Sequence, residues 1–172
     1  IRILELFGLP GVKNLNQYYK DKNFKKFEYL NLISEKNISN QTPFCPIVLG
    51  ISFLDQVKIM EQKKKINFGS IAYPIIFLSF LSRASEIIGK KIYIKIDKNE
   101  FLLNYNVNIF SNISNKNLIL KEMNAVVEII DNQDNFSDNE WKELYQLSEN
   151  TFVEENESLK QGGAGAGLTD ND

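Results

Sequence analysis

The strongest periodic pattern in the chain predicts an apolar helix over residues 73–88. Its apolar side chains repeat at helical spacing and leave one narrow polar seam. The seam consists of Ser79, Ser82, Arg83 and Glu86. Pro74 suits the first turn and Gly89 suits a helix end, so we expect a core helix that starts at Tyr73 and is ended by Gly89.

Alternation of apolar and polar residues predicts strands after that helix. Residues 91–97 alternate isoleucine with lysine and tyrosine, and residues 103–109 alternate apolar side chains with asparagine. This pattern predicts a hairpin with one face in solvent. Shorter extended segments are predicted at residues 66–72, 118–120 and 125–130.

The N-terminal third is predicted to be helical. Residues 1–7 and 12–19 read as helices around a Gly-Leu-Pro-Gly turn, and apolar residues at a spacing of three extend the helical pattern over residues 24–33. The apolar stretch 45–55 fits either a buried strand or a short helix, and we favour the strand. Ser137 or Asp138 can cap a final helix that reaches Phe152.

These elements predict an α+β fold, in which a small antiparallel or mixed sheet is packed by the central apolar helix. The chain is expected to form a single domain over residues 1–153, followed by an acidic tail rich in glycine and alanine over residues 154–172. The beginning at Ile1 reads like a helix already under way, so we expect a missing N-terminal segment.

Composition excludes several kinds of chemistry. The chain has no histidine, so it cannot itself form a Ser-His-Asp triad, a Cys-His pair or a histidine metal site. Its one cysteine, Cys45, cannot form an internal disulfide, and we interpret it as a buried structural thiol. A reducing compartment, the cytoplasm, fits this usage, and no apolar run is long enough to span a membrane.

Charge is divided unevenly along the chain. Residues 1–130 contain 18 basic and 11 acidic side chains, whereas residues 131–172 contain 2 basic and 11 acidic ones. The lysines are scattered and arginine occurs only twice, which makes nucleic acid an unlikely partner. Docking of the acidic segment on the chain itself is the simpler interpretation.

The glycine-rich end is predicted to dock in a narrow slot rather than to bind a nucleotide. A phosphate-binding glycine loop needs a strand before it and a helix after it, and this run lacks that context. Small residues followed by a hydrophobe and carboxylates suit a segment that is threaded and held at its end. The docking candidates are Gly163, Gly165, Gly167, Leu168, Thr169, Asp170 and Asp172.

Two residues are candidates for ligand binding. Arg83 lies on a strongly apolar helix, where its guanidinium either bridges Glu86 or Ser79 or anchors a carboxylate from a ligand or the tail. The structural bridge is the more common of these arrangements. Asp55 is the second candidate, although no other acid lies at a spacing that predicts a catalytic pair. The cofactor, if there is one, is unknown.

Several short motifs together resemble a known family. These are the tail Gly-Ala-Gly-Ala-Gly-Leu-Thr-Asp-Asn-Asp (residues 163–172), Gly-Leu-Pro-Gly (8–11), Cys-Pro (45–46) followed by Gly50 and Asp55, Gly69 ahead of Tyr-Pro (73–74), and Thr-Phe-Val (151–153). With them the chain is similar to the uncharacterised bacterial family called domain of unknown function 3726. Ser79 departs from the pattern, which has a second proline there. The resemblance implies some tens of residues before Ile1, and it carries no activity and no residue roles.

Two functions are therefore kept open. The first is a binding or accessory module whose acidic tail docks on its own chain or on a partner. The expected partners of the module are a protein or a small acidic ligand. The second is a histidine-free enzyme for a small molecule, which would use Arg83 together with carboxylates.

Overall fold

The computed structural model describes residues 1–23, 25–113, 115, 117–133 and 135–151. The chain divides by its internal contacts into two compact units, Ile1–Asn132 and Gln133–Asp172. The predicted tail, and the boundary expected between residues 153 and 154, lie outside the described residues. The described part of the first unit contains all six strands and five of the six helices.

The first unit is built on a mixed six-stranded sheet in the order β1-β2-β6-β3-β4-β5. Only the β1–β2 pair is parallel. The strands are β1 (Lys36–Asn37), β2 (Lys65–Ala72), β3 (Lys91–Ile96), β4 (Asn99–Asn104), β5 (Asn108–Ser111) and β6 (Glu122–Ile130). The last strand in sequence, β6, is thus inserted between β2 and β3, and the short strands β1 and β5 form the two edges.

Five helices belong to this unit, and the fold is α+β. They are α1 (Arg2–Leu6), α2 (Gly11–Lys22), α3 (Pro46–Asp55), α4 (Val57–Gln62) and α5 (Ile75–Ile88). The predicted central helix is confirmed as α5, which contacts strands β3 and β4 and each of the other four helices. The helix starts two residues later than predicted, because Tyr73 lies at φ 46° and Pro74 is the N-cap residue. As predicted, Gly89 ends it in the left-handed conformation at φ 67°, which glycine adopts without steric cost.

The core lies between α5 and one face of the sheet. The isoleucines of β3 and the alternate residues Ala125, Val127 and Ile129 of β6 are buried on this face. The predicted polar seam of α5 is partly wrong, because Ser82 is fully buried. Within the described residues its hydroxyl has no hydrogen-bond partner.

Helices α3 and α5 approach each other very closely at Gly50. A Cβ atom at this position would lie 2.2 Å from Cγ of Phe80. Only glycine leaves room for that aromatic ring, so the absent side chain sets the separation of the two helices.

The expected strand over residues 45–55 is wrong, since this stretch forms helix α3. Pro46 occupies its first turn, where the missing N–H and the fixed φ of proline favour a helix start. The apolar run is therefore a buried helix, a case that periodicity alone does not separate from a buried strand.

The expected helix over residues 24–33 is also wrong. Helix α2 ends at Lys22. After one further bond to the preceding turn, from the N–H of Lys25 to the carbonyl of Asp21, the chain runs along residues 43–45. The N–H of Glu28 donates to the carbonyl of Pro43 at 3.0 Å, and the carbonyl of Glu28 accepts from the N–H of Cys45 at 2.9 Å. Tertiary pairing has overridden the helical spacing of the apolar side chains.

The predicted partner strand over residues 103–109 is divided by a turn into β4 and β5. The side chain of Asn104 accepts a hydrogen bond from the N–H of Asn106 at 2.6 Å, and Val107 lies at φ 61°. Asparagine commonly closes turns in this way. Residues 118–120 form no strand, and the carbonyl of Leu118 accepts from Asn14 instead.

The described part of the second unit contains helix α6 (Asp138–Glu149). Of the two predicted capping candidates, Ser137 caps it, and Glu140 completes a capping box. Across the described residues, none of the helices has the length and apolar character that a membrane crossing requires.

Candidate functional site

Arg83 and Asp55 do not meet at a common site in the structure. The guanidinium of Arg83 pairs with the carboxylate of Glu86, three residues further along α5, and its side chain is 60% exposed. Asp55 is an exposed residue at the end of α3, and among the described residues its carboxylate forms no hydrogen bond or ion pair. Surface pairs of this kind contribute about 0–1 kcal/mol, so the arrangement around Arg83 is that of a structural bridge. The tail candidates lie outside the described residues.

A buried aromatic cluster, which the sequence analysis did not predict, lies between α2 and the first turn of α5. We define it as Tyr18, Phe27, Cys45 and Tyr73. The ring of Tyr18 is 1% exposed, stacks on Phe27 at 5.3 Å between centroids and meets Tyr73 edge-on at 6.2 Å. Cys45 is buried, as predicted, and its Sγ lies 3.1 Å from the Tyr18 hydroxyl.

The two phenols of this cluster are held in their neutral form. Burial raises the pKa of Tyr18, and the hydrogen bond with Cys45 adds to the effect. Burial likewise raises the pKa of Tyr73, followed by its hydrogen bond to Asp21. Neutral buried phenols packed in this way stabilise the fold and are poor bases or nucleophiles near pH 7.

Tyr73 is placed by an unusual backbone conformation. It lies between the end of β2 and the start of α5 with φ at 46°, in a backbone region that residues other than glycine rarely adopt. Its N–H donates to the carbonyl of Lys121 at 2.8 Å, and its hydroxyl donates to Oδ2 of Asp21 at 2.5 Å. These contacts to the sheet and to α2 fix the turn between strand and helix.

Asp21 has both carboxylate oxygens engaged. Tyr73 donates to one oxygen, and Nε2 of Gln17 donates to the other at 2.9 Å. The hydrogen bond from Tyr73, followed by that from Gln17, lowers the pKa of Asp21 below its usual range. The carboxylate therefore serves as an acceptor that joins α2 to Tyr73 and is not a free general base.

Replacing Tyr73 by phenylalanine is expected to destabilise the fold in a pH-dependent way. The bond to Tyr73 favours the ionised form of Asp21, so its contribution is present above the ordinary carboxyl pKa of about 3.9 and is lost as pH falls through the lower folded value. Urea midpoints of the two chains should differ at pH 7 and converge as the pH falls below the lowered folded-state pKa of Asp21. Tyr105→Phe, on an exposed turn, is the matched control, and a difference that stays constant with pH would contradict the assignment.

Exposed lysines and tyrosines flank the aromatic cluster in sequence, and two of them, Tyr19 and Lys22, contact the ring of Tyr18. We call Tyr19, Lys22, Lys25, Lys26 and Tyr29 the lysine–tyrosine surface. Tyr19 contacts Tyr18 edge-on with centroids 5.4 Å apart, and Nζ of Lys22 lies 6.0 Å from the centroid of the Tyr18 ring. Tyr29 is close enough to influence the ionisation of Tyr18. Tyr19 is 52% and Tyr29 65% exposed, so these rings are available to a partner.

The second exposed surface is the face of the sheet opposite α5. One cross-strand row on it places Lys65, Glu128, Tyr93, Leu102 and Phe110 side by side on five strands. Nζ of Lys65 pairs with Glu128 at 2.7 Å, which closes the charged end of the row. This face confirms the prediction that the hairpin has one side in solvent.

The depressions formed by the described residues are shallow. The one on the open face of the sheet has a volume of about 430 Å³ and is lined by residues that include Lys95, Asp97 and Glu122. Another, of about 340 Å³, lies beside Asn99 and Asn112. Arg83 and Asp55 line neither. Within the described ranges no three histidine, cysteine, aspartate or glutamate side chains come together in a way that could hold a metal ion.

Comparisons with protein-family models, with curated proteins and with solved structures give no match to this chain. The resemblance to domain of unknown function 3726 accordingly stays a prediction that rests on the sequence motifs.

Proposed function

We propose that the chain is a binding or accessory module whose acidic C-terminal segment engages a protein surface, either on this chain or on a partner. The carrying observation is the division of charge between its two units. Residues 1–132 contain 18 basic and 12 acidic side chains, whereas residues 133–172 contain 2 basic and 10 acidic ones. Opposite net charges on two parts of one chain favour their association over association with like-charged molecules.

The geometry of the described residues supports binding better than catalysis. Its exposed features are broad surfaces that carry tyrosines and lysines, and the polar groups of the aromatic cluster are engaged with one another. Small-molecule sites are typically concave and enclose most of their ligand. The alternative, a histidine-free enzyme that uses Arg83, has less support because Arg83 is already paired with Glu86 at the surface. The buried free thiol of Cys45 fits a location in the cytoplasm.

Amide hydrogen exchange of Leu168–Asp172 tests this proposal. In the full chain at low ionic strength, these amides are expected to exchange at least about tenfold more slowly than in a free peptide of residues 152–172. Slow exchange at every protein concentration would indicate docking within one chain, and slow exchange only at high concentration would indicate docking on a second copy. Exchange at the peptide rate under both conditions, and also in the presence of candidate partner proteins, would overturn the docking of the tail.

A further inference from the structure

We propose that the lysine–tyrosine surface is the receptor for an acidic peptide, and that its occupant is the acidic C-terminal segment of this chain. This inference rests on the proposed function and names the surface that would carry it out. It is drawn from the charge, the exposure and the rigid support of that surface.

The charge of this surface suits an acidic ligand. Residues 19–29 contain four lysines and two acids. Both acids are engaged within the fold, since Asp21 accepts from Tyr73 and Gln17, and Glu28 accepts from the N–H of Asn40 at 3.1 Å. Within the described residues, Lys22 and Lys26 form no ion pair, and Lys25 pairs only with Glu122, at a half-exposed site. These neutral donors leave both carboxylates charged, so four lysines and two acids give residues 19–29 a net charge of +2.

The support of this surface is rigid. Tyr19 and Lys22 stand over the buried ring of Tyr18, which is fixed by Phe27, Cys45 and Tyr73. A ligand that binds here orders few side chains, and exposed tyrosines offer contact area at a low cost in conformational entropy. The arrangement resembles a small recognition surface more than a random group of solvated lysines.

The occupant is argued from the chain itself. The segment 152–172, which lies outside the described residues, contains Glu154, Glu155, Glu157, Asp170 and Asp172 against one lysine. Its 21 residues reach about 70 Å when extended, so length does not limit its reach. A nucleic acid is the weaker candidate, because the whole chain has a net charge of −2 and contains only two arginines.

Fluorescence anisotropy with a labelled peptide of residues 152–172 tests the assignment. The acceptor is the full chain with its own five acidic residues in that segment neutralised, by Glu→Gln at 154, 155 and 157 and Asp→Asn at 170 and 172. Lys22→Gln, Lys25→Gln and Lys26→Gln together are expected to weaken binding about tenfold, the effect of losing three exposed ion pairs. The matched control replaces Lys36, Lys58 and Lys91, which are exposed elsewhere, and should leave the affinity within about twofold.

A second variant keeps the test decisive if the triple lysine variant does not fold. Tyr29→Ser removes a ring that is 65% exposed. It should also weaken the binding of the peptide, without changing the fold. Equal losses in the triple variant and its control would overturn this surface as the receptor, while amide exchange would still judge the proposed function. If the peptide does not bind to the full chain at all, this surface is also overturned as the receptor. Tighter binding of a 20-nucleotide single-stranded RNA, weakened by the same three lysine changes, would replace the acidic peptide by nucleic acid.

Discussion

Replacing Tyr18 by alanine is expected to lower the free energy of unfolding by about 3–5 kcal/mol, the usual cost of removing a large buried aromatic ring. Tyr18 is 1% exposed and lies against Phe27, Tyr73 and Cys45 at once. Its loss leaves a cavity that two rings and a thiol, held by three different segments, cannot easily fill. Urea unfolding of the full chain, followed by circular dichroism, measures the change.

Tyr18→Phe is the matched control for this prediction. It retains the ring and removes only the hydroxyl that faces Sγ of Cys45, so we expect a loss of about 1 kcal/mol. The cation–π contact with Lys22 should survive, and with it the binding of the acidic peptide. A loss below about 1 kcal/mol for Tyr18→Ala would show that the aromatic cluster is not a structural centre.

The second large effect is expected for Gly50→Ala, which should lower the free energy of unfolding although alanine has the higher helix propensity. Alanine is normally favoured over glycine inside a helix by about 1 kcal/mol. Here the new Cβ would lie 2.2 Å from the ring of Phe80, and overpacking costs about 1–3 kcal/mol and occasionally more. The atoms that the new Cβ would meet are those of the aromatic ring, which cannot bend away as a flexible chain end can. We therefore expect the cost of the clash to exceed the gain in helix propensity, with a net destabilisation of about 2 kcal/mol in urea unfolding.

The double variant Gly50→Ala/Phe80→Leu locates the cause. A smaller side chain at residue 80 should relieve part of the clash, so the double variant is expected to be more stable than the sum of the two single changes predicts. Strict additivity, or a Gly50→Ala variant as stable as the original chain, would mean that the helices separate without cost.

The elements that the sequence predicted correctly are those with local signals. Helix α5 has proline and glycine at its ends, β3 alternates strictly, and Ser137 stands three residues before Glu140 in a capping box. Helix α3 was missed because apolar residues lie on all sides of it, so its sequence lacks the alternation of apolar and polar positions that marks an amphipathic helix. The segment after α2 was missed because its backbone bonds to residues 43–45, which lie far away in sequence.

The candidate surfaces were less predictable than the fold. Tyr18, Cys45 and Tyr73 are separated by 27 and 28 residues, and nothing local in the sequence brings them together. A signal for the lysine–tyrosine surface did exist, since residues 18–29 contain three tyrosines and four lysines. The abundance of lysine throughout the chain made that signal weak. Arg83, which was singled out for its rarity, is paired within its own helix.

The two edge strands of the sheet are short, which limits the backbone that is open to pairing with other chains. The unpaired backbone at the margin of a sheet is a template for pairing with other chains, and here the outer strands have only two and four residues. β1 is held by the side chain of Asn37, which donates to the carbonyl of Asn67 on β2 at 3.1 Å. Detachment of this two-residue strand would uncover Asn67 and Phe68 of β2, the residues with which it pairs. Asn37 therefore helps to keep this edge of the sheet closed to pairing with other chains.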